Sequence, residues 1–273
     1  MKKALLTTIL FCAALSVTAQ NFYVTAPTLR NDNLKGPVRA VLTTTVYEIG
    51  EGDEYGFFQV ENSNYDTAGR LQYRINTSPD GLDDVFTYNY DNLGHLSTVT
   101  SHRREVYTDT YRYNAAGQLE TIEERWPEEG GKSSLNTTYT VVQRDSQGWP
   151  LRIESDMNGE GMRWVYSYEY RTDGHTVTQK VEPQGIETRK YYNQQGTLDS
   201  AIYGSTKTTF TYNEHGDMTE YRDLNAYSDE RITTYSYPEE EWLFDKYGNW
   251  TTRYITFHDG SRCFEMRTII YYE

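Results

Sequence analysis

The chain has 273 residues, 26 Lys and Arg against 40 Asp and Glu, and a formal net charge of -14. That balance repels nucleic-acid phosphate and anionic lipid, and no basic cluster is long enough to override it, so nucleic acid is excluded as a partner. Aliphatics are few while tyrosines number 26. Such a composition suits thin, half-wetted elements, because a tyrosine ring buries against a neighbour while its hydroxyl stays in water.

Residues 1–19, MKKALLTTILFCAALSVTA, place Lys2 and Lys3 before an apolar core from Ala4 to Val17 and end in Val17-Thr18-Ala19. This pattern predicts a secretory signal peptide cleaved before Gln20, and hence export to the periplasm or beyond the cell, with no membrane insertion afterwards. Cleavage removes two lysines and no acids, leaving 24 basic against 40 acidic residues, a net charge of -16. It also removes Cys12, so Cys263 stands alone and no intramolecular disulfide can form. Residues 20–56 are expected to hold an N-terminal segment with a first strand. Residues 57–273 form one domain of repeats.

The repeat aligns on a glycine: YDTAG at 65–69, YDNLG at 90–94, YNAAG at 113–117, RDSQG at 144–148, YRTDG at 170–174, YNQQG at 192–196, YNEHG at 212–216 and FDKYG at 244–248. Arg144 replaces the leading aromatic in one copy, and Arg171 replaces the Asp or Asn in another. Asp66, Asp91, Asn114, Asn193, Asn213 and Asp245 open tight turns by bonding the backbone ahead, and Gly69, Gly94, Gly117, Gly196, Gly216 and Gly248 supply a positive φ that ends each in a bulge. Alternating aromatic and polar residues lead in, as in Tyr88-Asn89-Tyr90, with the period of a strand. The expected rungs are Tyr65 with Leu71, Tyr90 with Leu96, Tyr113 with Leu119, Tyr192 with Leu198, Tyr212 with Met218 and Phe244 with Trp250. Asp66 and Arg70, or Asn114 and Gln118, should take the wetter face, and His95 should face water.

Looser turns separate the copies: SPDG at 78–81, EEGG at 128–131, MNGEG at 157–161, EPQG at 182–185 and FHDG at 257–260. The sum is an all-β antiparallel meander of sixteen to eighteen strands, expected as a long curved or partly rolled sheet. The aromatic, Asp/Asn, x, x, Gly, x, Leu pattern resembles the YD repeat of Rhs proteins, insecticidal toxin complexes and teneurins, from about residue 57 to 257. The opening Asn33-Leu34-Lys35-Gly36-Pro37-Val38 also resembles small secreted proteins of Bacteroidetes. In large members the resemblance implies a hollow β-shell that encloses a toxin or faces carbohydrate and protein partners. This chain has too few hairpins for a large shell and no recognisable toxin segment.

Catalytic motifs are lacking: no nucleophile elbow, HExxH or phosphate loop occurs, and the five histidines fall mainly at turn edges. Gly50-Glu51-Gly52-Asp53-Glu54 and Glu239-Glu240-Glu241 read as solvated charge runs, so neither a metal nor a cofactor is expected. Aromatic rings on a rigid sheet can stack on sugar faces or seat a protein, which singles out Trp126, Trp149, Trp164 and Tyr166; Trp250 is expected in the ladder. The expected role is a non-enzymatic binding or structural unit for a glycan or an envelope protein. A glycan-active enzyme using a carboxylate pair, and an accessory or remnant of a toxin shell joining partners through exposed strand edges, are the alternatives.

Overall fold

The computed structural model describes residues 32–48, 55–77, 83–102, 105–127, 133–146, 148, 150–157, 160–171, 174–182, 184–194, 197–225, 230–237 and 244–273. The signal segment, most of the looser turns, both acidic runs and the expected turn glycine Gly196 lie outside them. Among the described residues eighteen strands follow in chain order. The first nine are β1 (Val38–Glu48), β2 (Tyr55–Tyr65), β3 (Leu71–Thr77), β4 (Asp83–Tyr90), β5 (Leu96–His102), β6 (Val106–Tyr113), β7 (Leu119–Pro127), β8 (Ser133–Arg144) and β9 (Pro150–Met157). The second nine are β10 (Glu160–Arg171), β11 (Gly174–Glu182), β12 (Ile186–Asn193), β13 (Leu198–Tyr203), β14 (Thr206–Tyr212), β15 (Met218–Asn225), β16 (Arg231–Ser236), β17 (Thr252–Thr256) and β18 (Arg262–Tyr271).

Each strand pairs antiparallel with the next, and β1 pairs with both β2 and β18. The meander is therefore a closed barrel, which corrects the expectation of an open or partly rolled sheet. The closing register joins residues more than 200 positions apart, such as Thr43 with Arg267 and Val41 with Ile269. Among the described residues every named strand therefore has a pairing neighbour on both sides. A circular barrel of this strand number has a backbone radius of about 18 Å, wide enough for a lumen.

The tight turns have one local design. Gly69 N–H donates to Asp66 O at 2.9 Å, Asp66 N–H donates to Arg70 O at 2.9 Å, and Asp66 Oδ1 accepts from the N–H groups of Ala68 and Arg70. Asp91, Asn114, Asn213 and Asp245 repeat the arrangement. All six rungs pair as their turns dictate. Immediately beyond most rungs the register slips by one residue, at Gln72, Ser97, Glu120, Leu151, Asp199 and Thr219. This recurrent bulge has no signature in the turn itself.

Neighbouring hairpins are clasped at this level. Tyr90 Oη donates to Leu71 O at 2.6 Å, Tyr113 to Leu96 O at 2.9 Å and Tyr212 to Leu198 O at 2.9 Å. Each hydroxyl satisfies a main-chain acceptor where the slipped register interrupts the ladder. Arg144, an exception in the repeat, makes the same contact through its guanidinium to Leu119 O. Phe244 has no hydroxyl, and Tyr237 donates to Met218 O in its place at 2.8 Å. A second layer lies outside the first: Arg70 sits over the Tyr90 ring at 4.7 Å, and His95 stacks on Tyr113 at 4.7 Å. His95 also pairs with Asp91 at 3.0 Å, so it lies half-buried between hairpins and not in open water.

The barrel's tight-turn end is strapped by the stretch before β1. Asp32 takes two hydrogen bonds from Arg74 Nη2 and one from Tyr65 Oη; Asn33 donates to Asp217; Lys35 and Asn249 exchange backbone-to-side-chain bonds at 2.7 and 2.9 Å. Leu34 is buried with Val38, Val41, Tyr65 and Leu71. Nearby, Trp250 is 2% exposed between the guanidiniums of Arg253 at 4.3 Å and Arg267 at 3.6 Å, and Arg253 pairs with Glu265.

Candidate functional site

Nearly all buried side chains belong to one face of the strands, which is therefore the inward face: Ser63, Tyr65, Tyr111, Ile122, Thr137, Ile153, Tyr166, Val177, Lys190, Ala201 and Thr208 alternate along their strands and align across them. On the outward face of β6 and β7, Arg112, Glu123 and Arg125 form ion pairs among threonines; Arg189 with Glu187 and Arg222 with Glu220 do so on β12 and β15. Outward apolar residues gather mainly on β17, β18, β1 and β2, where Tyr254, Met266, Leu42 and Phe58 are exposed.

Among the inward residues of β6, β7 and β8, three levels descend from the rim that carries the looser turns. At the rim, Trp126 and Tyr107 are 46% and 38% exposed, with ring centroids 6.2 Å apart and edge-on at 74°. One level below, Asp109 and Glu124 face each other across β6 and β7. Below them Tyr111 pairs with Ile122, both buried, and Tyr139 pairs with Ile122 from the other side. Tyr139 Oη donates to Glu124 Oε2 at 3.1 Å.

The electrostatics of this level are unusual for a surface carboxylate. Burial, with the neighbouring Glu124 charge second, pushes the Asp109 carboxyl up to about 7. Burial also raises Glu124, partly offset by the hydrogen bond from Tyr139. Among the described residues no Lys, Arg or His forms an ion pair with either carboxyl. The pair thus favours holding a proton near neutrality, since two opposed carboxylates in a desolvated site resist joint ionisation.

Of the four aromatic residues singled out from sequence, Trp126 belongs to this site. Tyr166 is 3% exposed, packed with Ile153 and Val181, and accepts a hydrogen bond from Gln179; it is a core residue, not an exposed ring. Trp164 lies in β10 with its backbone opposite Ile153 and Val181, while its side chain and all of Trp149 fall outside the described set. Asp109, Glu124 and Tyr107 were not singled out from sequence.

The fold and these side chains define a closed antiparallel barrel of hairpin repeats with an aromatic and carboxyl-lined rim. No family model and no curated protein matches the chain. Among solved structures it is similar to a porin-like protein from Bacteroides uniformis ATCC 8492, with 15% identity, TM-score 0.43, and coverage of 86% of this chain and 98% of that one. It is also similar to TcdB2-TccC3, with 12% identity, TM-score 0.33, and coverage of 80% of this chain and 16% of that one. A third likeness, to a Photorhabdus luminescens Tc holotoxin pore, has 12% identity, TM-score 0.21, and covers 71% of this chain and 15% of that one. At these values the likenesses bear on neither ligand nor partner.

Proposed function

We propose that the chain is an exported, non-enzymatic YD-repeat barrel of the cell envelope or exterior that binds a glycan at its lumenal rim. The observation that carries this reading is the exposed Trp126–Tyr107 pair directly above the Asp109–Glu124 pair. A sugar presents an apolar ring face to stack on aromatics and hydroxyls to hydrogen-bond with carboxyl oxygens, and the two levels offer both in that order. The ion-paired outer wall of β6, β7, β12 and β15 supports a barrel that stands in water, because a membrane-crossing barrel needs an outward apolar band.

The test is a glycan array followed by calorimetry on the best ligand. Trp126→Ala with Tyr107→Ala should weaken binding about tenfold or more, equivalent to ~1.4 kcal/mol. Retained affinity in the double variant, or an array on which the folded protein holds nothing, would remove the proposal. The proton held by Asp109 beside Glu124 favours a second reading, acid-base cleavage of a glycosidic bond. That reading requires turnover that Asp109→Asn abolishes while glycan binding persists.

A further inference from the structure

Lys190 lies on the inward face of β12, opposite Val177 of β11 and Ala201 of β13. It is only 9% exposed, and those flanking residues are 4% and 0% exposed. Among the described residues its amine makes no hydrogen bond or ion pair. The same cross-strand row continues through Thr208 of β14 to Asp223 of β15. Asp223 is three strands away, about 14 Å at ordinary strand spacing. Its carboxylate already accepts hydrogen bonds from Thr208 Oγ1 and Tyr221 Oη, both at 2.6 Å. The other titratable groups on this face of the flanking strands are His175, stacked on Tyr192 at 4.8 Å, Tyr192 itself, and Tyr203. None of these supplies a carboxylate.

A lysine placed this way resists the charged form, because its ammonium loses water and gains no counter-ion. Burial accordingly lowers its pKa from the ordinary lysine value. The consequence is chemical: the neutral amine carries the lone pair that attacks carbonyl carbon, and desolvated lysines are the ones proteins use for imine formation.

We infer that Lys190 is a lumenal nucleophilic amine and a covalent site for aldehydes, including sugars in their open-chain form. Its nitrogen bonds to the carbonyl carbon, the carbonyl oxygen becomes a hydroxyl by taking up a proton, and the resulting carbinolamine loses water to leave the imine. No oxidant or reductant enters these steps. The inference is independent of the rim site, since it rests on a different wall of the barrel.

The purified mature protein is treated with glycolaldehyde and cyanoborohydride, which reduces the imine to a stable secondary amine, and each lysine is followed by peptide mass spectrometry. Lys180 and Lys207, on the outward face, are internal references. At pH 7 Lys190 should be modified about tenfold faster than either reference, with the advantage narrowing towards pH 10 as surface amines lose their protons. Unfolding in urea should erase the preference, and Lys190→Arg should remove the fast phase while the barrel's β-sheet circular dichroism is kept. Modification of Lys190 no faster than Lys180 and Lys207, or a preference that survives unfolding, overturns the inference.

Discussion

Asp109 illustrates how one side chain reports its place in the barrel. Its carboxyl holds a proton up to about pH 7 in the fold, against an ordinary value of 3.8. Between those limits the folded state binds more protons than the unfolded chain, so this group's contribution to stability falls as pH rises from about 4 to about 7 and stays lost above that window. The gap sets a ceiling of ~4 kcal/mol, which water in the lumen and local relaxation reduce. Asp109→Asn removes the titration. Thermal melts should show the variant more stable than the native chain by about 1–2 kcal/mol at pH 8 and near parity at pH 4.5. Parallel pH profiles for the two proteins would show that the carboxyl is not desolvated as described.

At the scale of the element, the tight turn is where local chemistry dictates most. Gly94 has φ of 88°, and a Cβ built there would lie 2.7 Å from Arg70 Nη1, the group stacked on Tyr90; Gly260 has φ of 81° with nothing within 4 Å. Gly94→Val should therefore cost about 2–4 kcal/mol and Gly260→Val about 1–2 kcal/mol, the difference reflecting the displaced guanidinium. Equal losses in urea titrations would mean that packing between turns does not matter. The turns and their rungs were legible in sequence because Asp or Asn and Gly act within five residues. Of the site only Trp126 was, and the reason its partners were not is the bulge at Glu120. Counted straight from the Tyr113–Leu119 rung, Asp109 falls opposite Glu123 and Trp126 points outward. The slip of one residue instead sets Asp109 opposite Glu124 and turns Ile122, Glu124 and Trp126 inward together. His95 was misplaced for a related reason, since its partner Tyr113 belongs to the next hairpin and not to its own turn.

For the whole molecule, closure was the property least visible in the chain. It depends on β1 meeting β18 across more than 200 residues, a pairing with no local signal, whereas sixteen to eighteen strands could be counted from turns alone. The joints between neighbouring hairpins, by contrast, are nearly interchangeable. A Tyr clasp joins hairpin to hairpin at Leu71, Leu96, Leu198 and Met218, and Arg144 substitutes at Leu119. Excising Leu96 to Gln118, which joins His95 to Leu119, removes β5 and β6 and sets Tyr90 opposite Leu119 as a new rung. The product should fold with two fewer strands, keeping β-sheet circular dichroism and a cooperative melt with a smaller Stokes radius. Aggregation or a loss of cooperativity would mean that neighbouring hairpins are matched individually. If the clasp is generic, the calibre of the tube is a matter of copy number: tandem duplication or loss of a single stretch of coding sequence would widen or narrow the bore by one hairpin, leaving every remaining joint as it was.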